Sequence, residues 1–227
     1  MPDAVLTAAR AYVAAGLSVL PITPGSKRPD ARRLPLVCAD GDDRAQPSWT
    51  PYTSRLATDD ELVRWFGGAQ PAGVGIIGGA VSGGLVVLDL ESADAFQRWR
   101  SNAELLLDPA LLAALPIVQT GKGFHIYLRT AAPGGNRKLA MQQRQTIAET
   151  RGEGGYVLAP PTVHPDTHQP YALIQGTLTT IPVLDAAQGQ AVLDAARALA
   201  ATDHPASAST GGSGGSGDSV IARFNAA

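Results

Sequence analysis

The chain alternates between two hydrophobic periods. Leu6, Ala9, Tyr12 and Val13 recur at helical spacing and Gly16 follows where a C-terminal cap sits, so the pattern predicts a helix over residues 3–15. A short apolar run at 18–22 reads as a strand. The segment Pro24-Gly-Ser-Lys-Arg-Pro29 interrupts both regular structures and makes a loop that carries Lys27 and Arg28. Residues 30–55 are polar and dotted with proline, which predicts a segment running over the surface. Thr58-Asp-Asp-Glu61 then supplies a capping box ahead of Leu62, Trp65 and Phe66, the start of a second helix.

Strand-like runs dominate the middle of the chain. Residues 73–77 and 85–90 are aliphatic stretches bounded by glycines, the pattern of neighbouring buried strands. Ser92 caps a helix whose inward face is Ala95, Phe96 and Trp99. Residues 117–129 read as strand, glycine turn and strand, which is a hairpin. Further strands are expected at 146–150, 155–159 and 171–174, and an alanine-rich helix at 184–199. Strands interleaved with helices and hairpins predict an α+β (mixed α/β) fold on a mixed sheet.

Composition shifts after Pro205 to a Gly/Ser-rich run. This divides the chain into a globular domain at 1–203, a flexible linker at 204–217 and, at 218–227, the start of a helical module. Within 227 residues, 44% hydrophobic content suits a packed core, and a formal net charge of −2 creates no global field for polyanions. Any polyanion partner must therefore be gripped locally. The single cysteine, Cys38, excludes an internal disulfide and a cysteine-rich zinc site, and the N-terminal run is too short and alanine-rich for a signal peptide or membrane span. These features point to the cytoplasm and to no membrane partner.

The chemistry lies in three short stretches. Asp89 and Glu91 stand two residues apart at the end of an apolar run, so they share one face of a strand while Leu88 and Leu90 pack behind them. Two adjacent carboxylates repel, and a hard divalent cation such as Mg²⁺ or Mn²⁺ removes that objection. The spacing alone also suits two solvated side chains at a strand end. In Thr120-Gly-Lys-Gly-Phe-His125 the glycines permit close backbone approach to a ligand, Lys122 offers positive charge, and His125 follows on a strand. Glu149 and Arg151 share a third strand face, adding a carboxylate and a guanidinium suited to phosphate. His164-Pro-Asp-Thr-His168 reads as a turn between strands, and the aspartates at 40, 42 and 43 beside Cys38 as a solvated loop. Trp49, Trp65, Phe66 and Trp99 read mainly as packing residues, with Trp49 and Tyr52, in a loop, as the candidates for stacking on a planar ring.

In this order the stretches resemble the bifunctional primase-polymerase domains of the archaeo-eukaryotic primase superfamily. The likeness covers roughly residues 5–175. It rests on Leu-Asp-Leu-Glu at 88–91, Thr-Gly-Lys-Gly-Phe-His at 120–125 and Glu-Thr-Arg-Gly-Glu-Gly-Gly-Tyr-Val-Leu-Ala-Pro-Pro at 149–161, preceded by the loop of Lys27 and Arg28. Two positions depart from the family pattern. Glu149, with Glu153 nearby, stands where an aspartate is common, and Gly123 stands where a serine often precedes the histidine by two residues.

The resemblance implies a primase-like catalytic fold with an RRM-like mixed sheet flanked by helices, and template-dependent nucleotidyl transfer in a replication protein of a plasmid, phage or integrated element. It assigns Asp89, Glu91 and Glu149 to Mg²⁺ or Mn²⁺, and His125 to the triphosphate of a dNTP or NTP. Thr120, Lys122, Gly123 and Arg151 would assist at the phosphates, with Lys27 and Arg28 contacting phosphate or template. The implied partners are single-stranded DNA template, primer and a C-terminal helicase module. Two other readings compete: a silent single-stranded nucleic-acid-binding module, and a Rep-type nicking endonuclease. The latter needs two histidines flanking one hydrophobic residue, and His125-Ile-Tyr127 lacks the second. Tyr127 is the sequence's suspect for sugar discrimination.

Overall fold

The computed structural model describes residues 2–38 and 44–203. The linker and helical module expected at 204–227, and the acidic run at 40–43, lie outside the described residues. In chain order the elements are α1 (Pro2–Ala14), β1 (Val19–Ile22), β2 (Leu36–Val37), β3 (Gln46–Pro47), α2 (Asp59–Phe66), β4 (Gly73–Ile77) and β5 (Leu85–Leu90). They continue with α3 (Ala93–Leu106), α4 (Pro109–Ala114), β6 (Ile117–Gln119), β7 (Phe124–Thr130), β8 (Arg137–Gln142) and β9 (Gln145–Arg151). The last are β10 (Tyr156–Leu158), β11 (Ala172–Gln175), β12 (Val183–Leu184) and α5 (Ala186–Arg197). The fold is α+β, as the sequence predicts.

Helix starts follow local chemistry. Thr58 Oγ1 accepts from the Glu61 N–H while the Glu61 side chain accepts from the Thr58 N–H, the reciprocal capping box that satisfies two otherwise unpaired donors. Ser92 caps α3, Asp108 caps α4, and Asp185 with Gln188 closes a second capping box on α5.

Strands divide between two sheets. A large sheet runs β11-β6-β7-β5-β9-β8, with β12 beside the end of β7, and a small one runs β1-β4-β10. All pairs are antiparallel except β12 with β7. Alternation along β5 assigns the faces. Val86, Leu88 and Leu90 join Trp99, Val192 and Ala196 in a core beneath α3 and α5. Leu85 and Val87 point the other way, into a second core with β1, β4, α1 and α2. Asp89 continues the row of Leu85 and Val87, so it emerges where the two sheets part.

Three expectations change. The runs at 73–77 and 85–90 are strands but not neighbours: β4 and β5 lie in different sheets, separated by a reversal through Gly79, Gly83 and Gly84, each at positive φ. The segment 30–55 is pinned rather than merely superficial. Asp30 is buried and takes the guanidiniums of Arg32 and Arg33, and Tyr52 is buried edge-on against Trp65 at 4.9 Å. Finally, β8 and α4 have no counterpart in the sequence reading. β8 is a largely exposed strand, Arg-Lys-Leu-Ala-Met-Gln, with too few apolar positions to show a period.

Candidate active site

Asp89 sits on the central strand, with His125 of β7 and Glu149 of β9 as its partners on either side. Residues directly opposite in a ladder share a face, so one imidazole and two carboxylates form a row across three strands. Glu91 lies one residue past β5 and stays in register because its N–H donates to the Ile147 carbonyl at 3.1 Å. Asp89, Glu91 and Glu149 each bring an oxygen within 4.8 Å of the others. Glu153, the alternative third acid, is elsewhere: its Oε2 accepts from the Ala80 N–H at 2.8 Å.

Burial raises all three carboxyls. Asp89 is pushed up to about 6, mainly by burial and partly offset by the Arg151 and Lys27 charges. Glu91 is raised by burial and by repulsion from Asp89 and Glu149. Glu149 is raised by burial, against the pull of Arg151, whose Nη2 donates to Glu149 Oε1. His125 is held down to about 3 by burial, with Lys27 and Arg151 adding to the effect. It is therefore neutral at physiological pH, and its Nε2, 3.6 Å from Asp89 Oδ1, forms no ion pair there. Its Nδ1 lies 3.4 Å from the Tyr127 hydroxyl. A nitrogen facing a carboxylate favours the proton, which leaves Nδ1 to accept from Tyr127. Tyr127 is fully buried behind His125 and does not line the cleft, which removes it as a direct contact for the sugar.

The 120–123 turn is built around its own backbone. Thr120 Oγ1 accepts from the N–H groups of Lys122 and Gly123 at 3.3 and 2.9 Å. A Cβ on Gly123 would stand 1.8 Å from the Leu90 carbonyl oxygen, so this turn packs onto the end of β5 only with glycine there. Lys122 Nζ lies 3.3 Å from Asp166 Oδ2, an exposed pair that leaves the ammonium at the rim of the cleft.

Asp89, Glu91 and His125 line a cleft of about 290 Å³ between the two sheets, walled opposite by β10, and Glu149 stands behind this lining, within 4.8 Å of the other two carboxylates. Lys27 lines it, on a loop whose Lys27 carbonyl accepts from the Tyr156 hydroxyl at 3.1 Å. Arg28 is exposed and does not line it. Trp49 packs edge-on against Tyr156 at 5.6 Å, and Tyr52, buried with its hydroxyl on Glu61, has no face free for a base. Sequence reasoning missed four lining residues: Asn136, Tyr156, His164 and Tyr171. They come from turns and a remote strand and carry no period, and only the fold brings them to β5.

The bifunctional DNA primase/polymerase N-terminal family matches residues 9–188. The chain belongs to this family. Comparison with curated proteins gave no match.

Primase/polymerase domains are nucleotidyltransferases that bind nucleic acid and nucleotide and generally depend on divalent metal. The donor set of this chain fits such an ion: three carboxylates converge, no soft ligand joins them, and their mutual repulsion and burial are the cost a hard cation relieves. The family match also spans the cleft, since β1 to β12 all lie within the matched residues. Among the described residues no helix is long and apolar enough to cross a membrane.

Proposed function

We propose that this domain is a template-dependent nucleotidyltransferase that adds dNTPs or NTPs to a 3′-hydroxyl on single-stranded DNA, with Mg²⁺ or Mn²⁺ on Asp89, Glu91 and Glu149. The observation that carries the reading is the convergence of these three carboxylates, two of which, Asp89 and Glu91, line a cleft that also contains Lys27, Lys122 and Arg151. Acids for a cation beside cations for an anion suit a metal-bound triphosphate. The bound metal would supply charge neutralisation to the attacking and leaving oxygens of an in-line transfer.

The chain's own residues do the rest. Neutral His125 offers an Nε2–H beside Asp89, a donor for a phosphate oxygen that does not compete for the cation. Arg151 orients Glu149 and counters charge on the phosphates. Lys27 and Lys122 bring positive charge to the cleft, where low dielectric strengthens it. Thr120 and Gly123 keep the Lys122 turn against β5. Arg28, exposed on the same loop as Lys27, suits the backbone of the template.

In the cell the domain would serve a plasmid, phage or integrated-element replication protein in the bacterial cytoplasm, ahead of a helicase module. Primer extension with Mg²⁺ or Mn²⁺, with dNTPs and separately NTPs, tests the activity. Synthesis by wild type and none by Asp89→Ala/Glu91→Ala is expected. Folded wild type that extends nothing would leave a nucleic-acid-binding module.

A further inference from the structure

His164 lies outside the three stretches that carry the family resemblance, yet it is 2% exposed and lines the same cleft. Its Nδ1 accepts from the backbone N–H groups of Asp166 and Thr167 at 3.2 and 3.4 Å. A ring nitrogen that accepts twice from backbone donors carries no proton, so in the neutral ring the proton sits on Nε2. Burial and the nearby Lys27 and Lys122 charges lower the imidazole's pKa and keep it neutral, although Asp166 opposes them. Nε2 has no hydrogen-bond partner among the described residues, and it is not sealed off, since Arg129 Nε is the sealed, unpartnered side-chain atom among them.

The ring is rigidly placed. Tyr171 stands between the two imidazoles, 5.9 Å from His164 and 5.8 Å from His125. On another side, a Cβ on Gly121 would come within 2.4 Å of His164 Cγ, so the 120–123 turn packs directly on the ring. Lys122 is next along that turn, and Lys27 lines the same cleft. A fixed N–H donor in a cleft that also holds the Lys27 and Lys122 ammonium groups, the latter paired with Asp166 at the rim, suits an anion.

We propose that His164 is a second phosphate-binding imidazole, donating its Nε2–H to a non-reacting phosphate oxygen of the incoming nucleotide. The proposal rests on the nucleotide reading above and adds a residue to it.

Two substitutions separate the two ring nitrogens. His164→Asn keeps an acceptor near the Nδ1 position, so it preserves the turn and removes the donor. His164→Gln keeps an N–H near the Nε2 position and loses the acceptor. Calorimetric titration with inorganic tripolyphosphate and Mg²⁺, beside thermal unfolding, reads both effects. The expected result is tripolyphosphate binding weakened roughly ten- to a hundredfold in His164→Asn with little change in Tm, and near-wild-type binding with a lower Tm in His164→Gln. Equal binding of tripolyphosphate by wild type and His164→Asn would overturn the role of His164 alone. Weakened dNTP binding with unchanged tripolyphosphate binding would also overturn it, moving the contact to the nucleoside. Wild type that binds neither tripolyphosphate nor dNTP would sink the nucleotide reading itself.

Discussion

Asp89 and Glu149 are direct partners across β5 and β9, yet only Glu149 has a counter-charge bonded to it. Arg151, two residues along the same strand face, occupies Glu149 Oε1, whereas the Asp89 carboxylate accepts no hydrogen bond among the described residues, His125 Nε2 standing 3.6 Å away. Glu149 is thus a carboxylate with one oxygen engaged and oriented. Asp89 is a largely buried group, its side chain 18% exposed, whose charge awaits compensation from a ligand.

That asymmetry predicts a stability gain from removing the Asp89 charge. Its folded pKa of about 6 lies above the ordinary value of 3.8, so the fold favours the protonated form. The stability present at low pH is lost as pH rises through 6, and at pH 8 the ionised group costs on the order of 2–3 kcal/mol. Asp89→Asn in EDTA should therefore unfold at a higher temperature than wild type at pH 8, with the difference vanishing at pH 4. Added Mg²⁺ should stabilise wild type and leave Asp89→Asn nearly unmoved. A variant that melts below wild type at pH 8 would count against an uncompensated charge.

Much of this site is legible in the chain because strand alternation is a local rule. Asp89 with Glu91, and Glu149 with Arg151, follow from a period of two, and the Gly123 turn from its glycines. The pairing of β5 with β9 rather than β4 is not local. It depends on which sheet accepts the strand after the 78–84 reversal, and short aliphatic runs do not encode their partner. Tyr52 looked available because its neighbours are polar, and it is buried because Glu61, nine residues on, accepts its hydroxyl at 2.6 Å. His164 looked like an ordinary turn residue because its second role lies across the cleft.

Gly123 should admit no side chain. The atom that a Cβ would meet at 1.8 Å is backbone, the Leu90 carbonyl, which cannot swing aside without breaking β5 beside Asp89. Gly123→Ala and Gly123→Ser should each lose about 2–4 kcal/mol of stability and nearly all nucleotide addition, even though serine is common at this place in related domains. Chemical denaturation with primer extension on the same preparations checks both, and a fully active Gly123→Ser would refute the packing argument.

The loop of two adjacent cations should divide its labour. Lys27 lines the cleft and bears on Asp89, Glu91 and His125, while Arg28 is exposed and outside it. Lys27→Ala is expected to raise the KM for nucleotide about tenfold or more, whereas Arg28→Ala should leave that KM unchanged and weaken binding of single-stranded DNA in a salt-dependent way. Tyr156→Phe, which removes the hydroxyl that holds the Lys27 carbonyl, should give an intermediate nucleotide KM. Steady-state kinetics with nucleotide varied at saturating template distinguish the three.

Far from the cleft, Glu61 should govern acid stability. Its carboxylate accepts from Arg55, from the Tyr52 hydroxyl and from the Thr58 N–H, and these hold its pKa down to about 2, against the desolvation that burial imposes. A lowered folded pKa means that the contribution is complete above the unfolded value of about 4.5 and is lost as pH falls from there through 2. The shift corresponds to roughly 3 kcal/mol, an upper figure because Arg55 is partly exposed and its charge partly screened. Glu61→Gln should forfeit most of this at pH 7 and flatten the fall in Tm between pH 5 and 3. The capping box of α2 bears only part of that loss, because glutamine can still accept the Thr58 N–H. Since Tyr52 and Trp65 pack at the base of this network, the same variant should loosen the 48–57 segment, detectable as faster amide exchange there at neutral pH. An unchanged pH profile would mean that the Arg55–Glu61 pair contributes nothing beyond what water supplies.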